Sequence, residues 1–131
     1  MTAQPVTAPS QVADRRPVAA GEEPADWLTI CPLQRLQPFR GVAALVSDVQ
    51  VAVFRHTDDA LFAVGNIDPF SGAAVMSRGI VGDRGGEPTV AGPIYKQSFA
   101  LRDGRCLDDD AVSLPAFAVR CVGGAVQLGI R

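Results

Sequence analysis

The three cysteines and the single histidine are the side chains of this 131-residue chain that are best suited to binding a metal. Thiolate and imidazole groups are the usual ligands of zinc and of iron–sulfur clusters. However, Cys31, Cys106 and Cys121 are separated by long gaps and form no C-x-x-C pair. We therefore expect three reduced thiols that pack as small apolar side chains, and we expect His56 to lie in a surface turn. A zinc site assembled from these four residues is the alternative, which the spacing does not support.

A second group of candidate residues lies in the stretch GNIDPFSGAAVM at positions 65–76. It is dense in turn-forming residues, so a loop is expected directly after an apolar strand. Asp68 is its one strong candidate ligand, but we expect this carboxylate to hydrogen-bond the local backbone. The acidic run LDDD at 107–110 is expected to be a solvated turn and not a cation site. The sequence has no G-x-S-x-G, P-loop or G-x-G-x-x-G motif, so it offers no nucleophile or nucleotide signature.

Composition and charge argue against several classes of function. The net charge is −2 and the sequence pI is about 5.2, so nothing attracts the chain to phosphate backbones or anionic membranes. No stretch approaches the roughly 20 apolar residues of a membrane span, and the first residues lack the apolar core of a secretory signal. We expect a cytoplasmic protein that binds neither nucleic acid nor membrane, with a flexible tail at 1–24 and one ordered domain at 25–131.

Short apolar runs separated by turn residues predict an all-β fold. Residues 41–66 predict three strands joined by two turns. Residues 65–93 contain seven glycines, which indicates loops interrupted by brief strands. Two further hairpins are expected, one with Asp103-Gly104 at its turn and one with Gly123-Gly124. No segment has the periodicity of an amphipathic helix, so the chain is expected to form a sandwich or a small barrel.

The order of these elements resembles that of the Rieske iron–sulfur domain. An N-x-x-P loop that opens at Asn66 is followed by P-x-x-x-x-x-F-x-L-x-x-G-x-C, which begins at Pro93. The resemblance extends over residues 27–130 and implies an antiparallel sandwich or small barrel of the Rieske (ISP) type with a loop-rich cluster subdomain. In Rieske proteins two loops present C-x-H and C-x-x-H, so that two thiolates bind one iron and two imidazoles bind the other.

The ligand positions of that pattern fall here on residues that cannot bind a [2Fe–2S] cluster. The first pair corresponds to Asp68 and Phe70, and the second pair to Gly92 and Tyr95. Phe70 and Gly92 have no donor atom, whereas Asp68 and Tyr95 offer only oxygen in place of sulfur or imidazole. A chain with one histidine also cannot supply two imidazoles. The sequence thus predicts a Rieske-like domain with no cluster, no metal ligand and no catalytic residue of its own.

Three stretches resemble one particular family more closely. Residues 52–55, 66–83 and 93–109 are similar to the small subunit of assimilatory NAD(P)H-dependent nitrite reductase. That resemblance implies a large-subunit partner that carries FAD, an iron–sulfur cluster and sirohaem and reduces nitrite to ammonia with six electrons in the cytoplasm. This chain would then be an accessory subunit. The alternatives are a stand-alone, cofactor-free module that binds a small ligand or a protein, and an electron carrier with some other centre.

The two loops that lack cluster ligands are the expected site of partner contact. We expect Phe70 and Tyr95 to fill the volume that a cluster would occupy. The candidate partner-binding residues are Arg78, Tyr95, Lys96 and Gln97. Two of them, Arg78 and Lys96, are cations, and exposed cations on loops favour docking to an acidic face. If the two loops lie side by side, Arg78 and Lys96 share one tip of the domain.

Overall fold

The computed structural model describes residues 15–131, which form ten strands in three antiparallel sheets. The helical elements of the described residues are three 3-10 turns, Leu33–Arg35, Thr57–Asp59 and Met76–Arg78. No helix in this part of the chain is long and apolar enough to cross a membrane. The strands are β1 (Asp26–Pro32), β2 (Gly41–Val46), β3 (Val49–Arg55), β4 (Leu61–Gly65), β5 (Ile80–Arg84), β6 (Glu87–Ala91), β7 (Ser98–Ala100), β8 (Ala116–Phe117), β9 (Val119–Val122) and β10 (Ala125–Ile130).

The central sheet, in the order β2-β3-β4-β8, is buried on both faces. On β3, Val51 and Val53 belong to one hydrophobic core while Ala52 and Phe54 belong to the other, and all four are fully buried. Successive side chains of a strand point to opposite faces, so a strand between two cores needs apolar residues at consecutive positions. This requirement explains why residues 51–54 read VAVF without a polar residue between them.

Each outer sheet covers one face of the central sheet. The sheet β1-β10-β9 contributes Val126 and Leu128 to the core that contains Val51, and the sheet β5-β6-β7 contributes Val90 and Phe99 to the core on the opposite face. The predicted all-β class is confirmed. The strands of residues 15–131 form layered open sheets and no closed barrel.

The predicted hairpins are present, and their turn residues have the backbone that such turns require. Between β9 and β10, Gly123 and Gly124 have φ values of 58° and 78°, which glycine adopts without steric cost. At the Asp103-Gly104 turn, Gly104 has φ of 82°. The returning segment of that second hairpin is reduced to a single β-bridge between Phe99 and Cys106.

The ordered domain begins before residue 25, so the predicted flexible tail of residues 1–24 includes residues that belong to the domain. Residues 1–14 lie outside the described residues. Val18 is only 4% exposed, and its N–H donates to the Gly129 carbonyl at 3.0 Å. The segment around Val18 therefore packs on the last strand and belongs to the ordered domain. Composition did not reveal this because backbone hydrogen bonds form with almost any residue type.

The three cysteines differ in burial. Cys106 is buried and Cys31 is partly buried against a core, as predicted. Burial raises the pKa of the Cys31 thiol above its ordinary value, although the charge of Arg35 opposes the shift. The prediction for Cys121 is wrong, because its side chain is exposed. Cys121 lies in β9, which is an edge strand, so its apolar neighbours in sequence do not imply a covering layer.

Candidate functional site

The first of the two candidate loops, residues 66–75, is closed by hydrogen bonds within itself. Asp68 is 1% exposed. Its Oδ1 accepts a hydrogen bond from the Phe70 N–H at 2.9 Å, and its Oδ2 accepts one from the Ser71 hydroxyl at 3.0 Å. The Asp68 N–H in turn donates to the Ala73 carbonyl at 2.8 Å. The predicted role of Asp68 as a turn residue that bonds local groups is confirmed.

The second loop, residues 92–97, is closed by its own backbone. The Gly92 N–H donates to the Gln97 carbonyl, and the Lys96 N–H donates to the Gly92 carbonyl, both at 2.9 Å. Lys96 has φ of 67°, in the left-handed region, and its Nζ donates to the Pro93 carbonyl at 3.1 Å. This loop therefore keeps its shape without any contribution from a bound group.

The two loops meet at the position where the Rieske pattern expects ligands. A Cβ placed on Gly92 would lie 3.3 Å from Asp68 Oδ2 and 3.7 Å from Met76 Sδ. The space between the loops is thus occupied by a carboxylate and a thioether. Phe70 is half-buried, with its ring centroid 6.1 Å from that of Phe99. Phe70 therefore packs against the core that contains Phe99, and its filling of the volume of a cluster stays a prediction.

The expectation that Tyr95 fills the same volume is wrong. Tyr95 is 58% exposed, because the backbone closure of the second loop turns its side chain outward. Ile94 is 46% exposed beside it, and Ile67, at the start of the first loop, is 44% exposed. We name the surface formed by Ile67, Ile94, Tyr95 and Lys96 the loop face. Gln97 is half-buried at its base.

Arg78 lies at the end of the 3-10 turn that follows the first loop. Its side chain is exposed and lines a groove whose opposite wall carries Phe39 and Arg40. Lys96 is exposed on the second loop. A joint role of Arg78 and Lys96 in partner binding stays a prediction.

His56 is not a surface residue, contrary to the prediction from the sequence. It is 7% exposed, and its Nε2 lies 3.1 Å from the Gly82 carbonyl oxygen. Its ring meets Phe39 and Phe62 edge to face, with centroids 5.0 and 6.4 Å apart. The position of His56 in a turn between two strands suggested the surface, but the imidazole connects the end of β3 to the outer strand β5.

The acidic run at 107–110 has a structural role. Asp108 Oδ2 accepts a hydrogen bond from the Ser98 N–H at 2.8 Å, and Asp108 Oδ1 lies 3.6 Å from the Arg84 guanidinium. Asp109 Oδ1 accepts from the Ala111 N–H at 3.0 Å. Within residues 15–131, no group of three or more His, Cys, Asp or Glu side chains is placed to hold a metal ion.

Sequence reasoning missed two residues that shape the site. Asn66 is 2% exposed, and its Oδ1 accepts a hydrogen bond from the Ser77 N–H at 2.7 Å, which ties the first loop to the turn that carries Arg78. The N-x-x-P pattern was a signal for this residue. Phe39, 49% exposed with φ of 62°, had no such signal, because the groove it lines forms only in the folded chain.

Three layered antiparallel sheets with two apposed loops at one end define a Rieske-like domain, and a family model described as the Rieske-like [2Fe-2S] domain matches residues 26–129. The chain is 43% identical over 105 residues to the nitrite reductase (NADH) small subunit of Escherichia coli K12, covering 79% of this chain and 97% of that protein. A crystal structure described as an NADH-dependent nitrite reductase small subunit from Mycobacterium tuberculosis superposes with a TM-score of 0.77 at 56% identity, covering 81% and 95% of the two chains. A Klebsiella oxytoca protein described as the nitrite reductase [NAD(P)H] large subunit is 41% identical over 117 residues, which are 86% of this chain but 12% of that protein.

The chain therefore belongs to the nitrite reductase small-subunit family of Rieske-like domains. Its residues do not fit the [2Fe–2S] cluster in the family description. The apposed positions hold Asp68, whose oxygens are engaged by Phe70 and Ser71, and Gly92, which has no side chain. Thiolate and imidazole donors are lacking at these positions, and carboxylate oxygen is a poor substitute for them.

Proposed function

We propose that this chain is the small subunit of an NAD(P)H-dependent nitrite reductase and that it acts by docking on the large subunit. The observation that carries the proposal is the Klebsiella oxytoca relative, in which a domain 41% identical to this chain is part of a protein described as the large subunit. Fusion holds a domain at high effective concentration beside the rest of its chain. A domain found both fused and separate is one that works next to the same catalytic partner.

The donor atoms available in the two loops bear on which of the two subunits carries the cofactors. Because Asp68, Phe70, Gly92 and Tyr95 supply no thiolate and no imidazole, we place no iron–sulfur cluster on this chain. On the family resemblance, we assign FAD, the iron–sulfur cluster and sirohaem to the large subunit. The reduction of nitrite to ammonia then takes place on that chain, in the cytoplasm. This subunit contributes a rigid surface that stabilises or orients the catalytic chain.

The loop face is the surface that we propose for docking. A contiguous group of exposed apolar and aromatic side chains next to a cation is typical of protein interfaces. Ile94 and Tyr95 provide the apolar area, and Lys96 provides the charge. Gln97 and Arg78 flank them as further candidates for polar contacts.

Lys96 permits a direct test, because it is the one lysine among the 131 residues. The chain is treated with an amine-reactive ester, alone and with a molar excess of purified large subunit, and modification at Lys96 is followed by mass spectrometry. We expect the large subunit to slow modification severalfold, whereas serum albumin at the same concentration has no effect. Equal modification with and without the large subunit would contradict docking through the loop face. Failure of the two chains to co-purify would contradict the proposed function itself.

A further inference from the structure

A second surface of the domain, next to the two loops, has the chemistry of a binding site and shares no residue with the loop face. It is a groove of about 460 Å³ between residues 39–41, which precede and begin β2, and residues 77–81, which lead into β5. Phe39 and Arg40 lie on one wall, and Arg78 and Ile80 lie on the other. A groove of this size accommodates a few side chains of a peptide.

The two arginines of the groove have no acidic partner among residues 15–131, in contrast to four other arginines of the domain. The guanidinium groups of four other arginines pair with carboxylates at 2.7–3.6 Å: Arg55, Arg84, Arg102 and Arg105. Arg40 and Arg78 are exposed and unpaired in the described chain. Arginine presents a planar fork of donors that matches a carboxylate, so two such groups on facing walls favour an acidic occupant.

The apolar part of the groove is held in place by specific contacts. Phe39 has φ of 62°, a conformation that a bulky side chain rarely adopts. Its N–H donates to the Arg55 carbonyl at 2.6 Å, and its ring packs edge-on against the buried His56. Even so, Phe39 is 49% exposed, and Ile80 across the groove is 59% exposed. An unfavourable backbone conformation that leaves an aromatic ring in solvent points to a binding role.

From these observations we propose that the groove between residues 39–41 and 77–81 binds an acidic segment of the large subunit that also carries an apolar side chain. The carboxylates of that segment pair with Arg40 and Arg78, and its apolar side chain covers Phe39 and Ile80. A small anion alone would leave both apolar residues in water. This inference rests on the proposed function, since it names what the large subunit offers to a second contact surface.

The groove is continuous with the loops through short contacts. Asn66 Oδ1 binds the Ser77 N–H at 2.7 Å, and a Cβ at Gly79 would lie 2.5 Å from the Ala91 carbonyl oxygen, one residue before the second loop. One partner chain can therefore contact the loop face and the groove together. Two separate contact areas on one rigid domain fix orientation better than one.

The test is the affinity of the purified large subunit for three forms of the full chain, measured by biolayer interferometry at low and at physiological ionic strength. The forms are the wild type, the double variant Arg40→Glu/Arg78→Glu, and Arg35→Glu, an exposed arginine outside the groove that serves as the control for charge. We expect the double variant to bind about tenfold more weakly or worse and with a reduced salt dependence, and the control to stay within about twofold of the wild type. All three substituted positions are exposed, and circular dichroism verifies the fold.

Each outcome decides between the alternatives. If the wild type binds and the double variant binds equally well, the groove inference is overturned while the proposed function stands. If Arg35→Glu weakens binding as much as the double variant, the effect is one of net charge and the groove inference is again overturned. If the wild type itself does not bind, the proposed function fails and the inference fails with it. Phe39→Asn is an independent check, because Asn tolerates the left-handed backbone conformation but lacks the aromatic ring. If this variant binds the large subunit as tightly as the wild type, the Phe39 ring does not contribute to the site.

Discussion

Removing the carboxylate of Asp68 is expected to destabilise the domain substantially, because this side chain closes the loop where a cluster would otherwise lie. Asp68 is 1% exposed and accepts hydrogen bonds from the Phe70 N–H at 2.9 Å and the Ser71 hydroxyl at 3.0 Å. Hydrogen bonds to a charged acceptor contribute about 1.5–3 kcal/mol each, and burial of the carboxylate offsets part of the sum. We expect Asp68→Ala to lower the free energy of unfolding by about 2–4 kcal/mol, since it leaves two donors unsatisfied.

The matched variant Asp68→Asn separates hydrogen bonding from charge. Its amide oxygen still accepts from the Phe70 N–H, and the Ser71 hydroxyl can rotate to accept from the amide nitrogen, so the loss should stay below about 1 kcal/mol. The assay is equilibrium urea unfolding followed by circular dichroism, with m-values compared to verify two-state behaviour. A loss of less than about 0.5 kcal/mol for Asp68→Ala, or equal losses for both variants, would refute the reasoning.

Two further predictions concern packing and pH. Gly79→Ala places a Cβ 2.5 Å from the Ala91 carbonyl oxygen, so we expect a loss of about 2 kcal/mol or more in urea unfolding; a variant as stable as the wild type would show that the backbone yields there. Burial of Asp103 acts to raise the pKa of its carboxyl, but the hydrogen bonds and charge of Arg105 together outweigh this and lower the pKa below its ordinary value. The stability that this interaction contributes is therefore present above about pH 4 and is lost as the pH falls through the lowered pKa. Arg105→Gln should be slightly less stable than the wild type at neutral pH, with a difference that shrinks in acid; a difference independent of pH would contradict this.

The features that could be predicted from the sequence are those set by local interactions. The turn at Gly123-Gly124 needs two residues with positive φ, and glycine adopts that conformation freely, so the hairpin followed from the residue types alone. Asp68 was placed correctly because aspartate before a proline commonly bonds the backbone two residues further on. The inability of Phe70 and Gly92 to bind iron also followed from the residue types alone, because a residue without a donor atom cannot bind iron in any fold.

The features that the sequence did not reveal depend on which elements become neighbours. His56 is buried because β5 and the Phe39 ring cover it, and neither is close in sequence. Cys121 is exposed because β9 is an edge strand, which the apolar alternation of the strand does not encode. Tyr95 points outward because the second loop closes on its own backbone. The groove brings Phe39 and Arg78 together from segments about 40 positions apart, so neither residue could signal it alone.

We propose above that this chain docks on the large subunit without adding a redox centre. Sedimentation velocity of the purified large subunit, recorded at a visible wavelength where its cofactors absorb, tests both parts in one experiment. We expect stoichiometric addition of this chain to increase the sedimentation coefficient of the coloured species, and we expect this chain alone to give no visible boundary. An unchanged sedimentation coefficient would show that this chain does not dock, and a coloured boundary from this chain alone would show that it carries a redox centre.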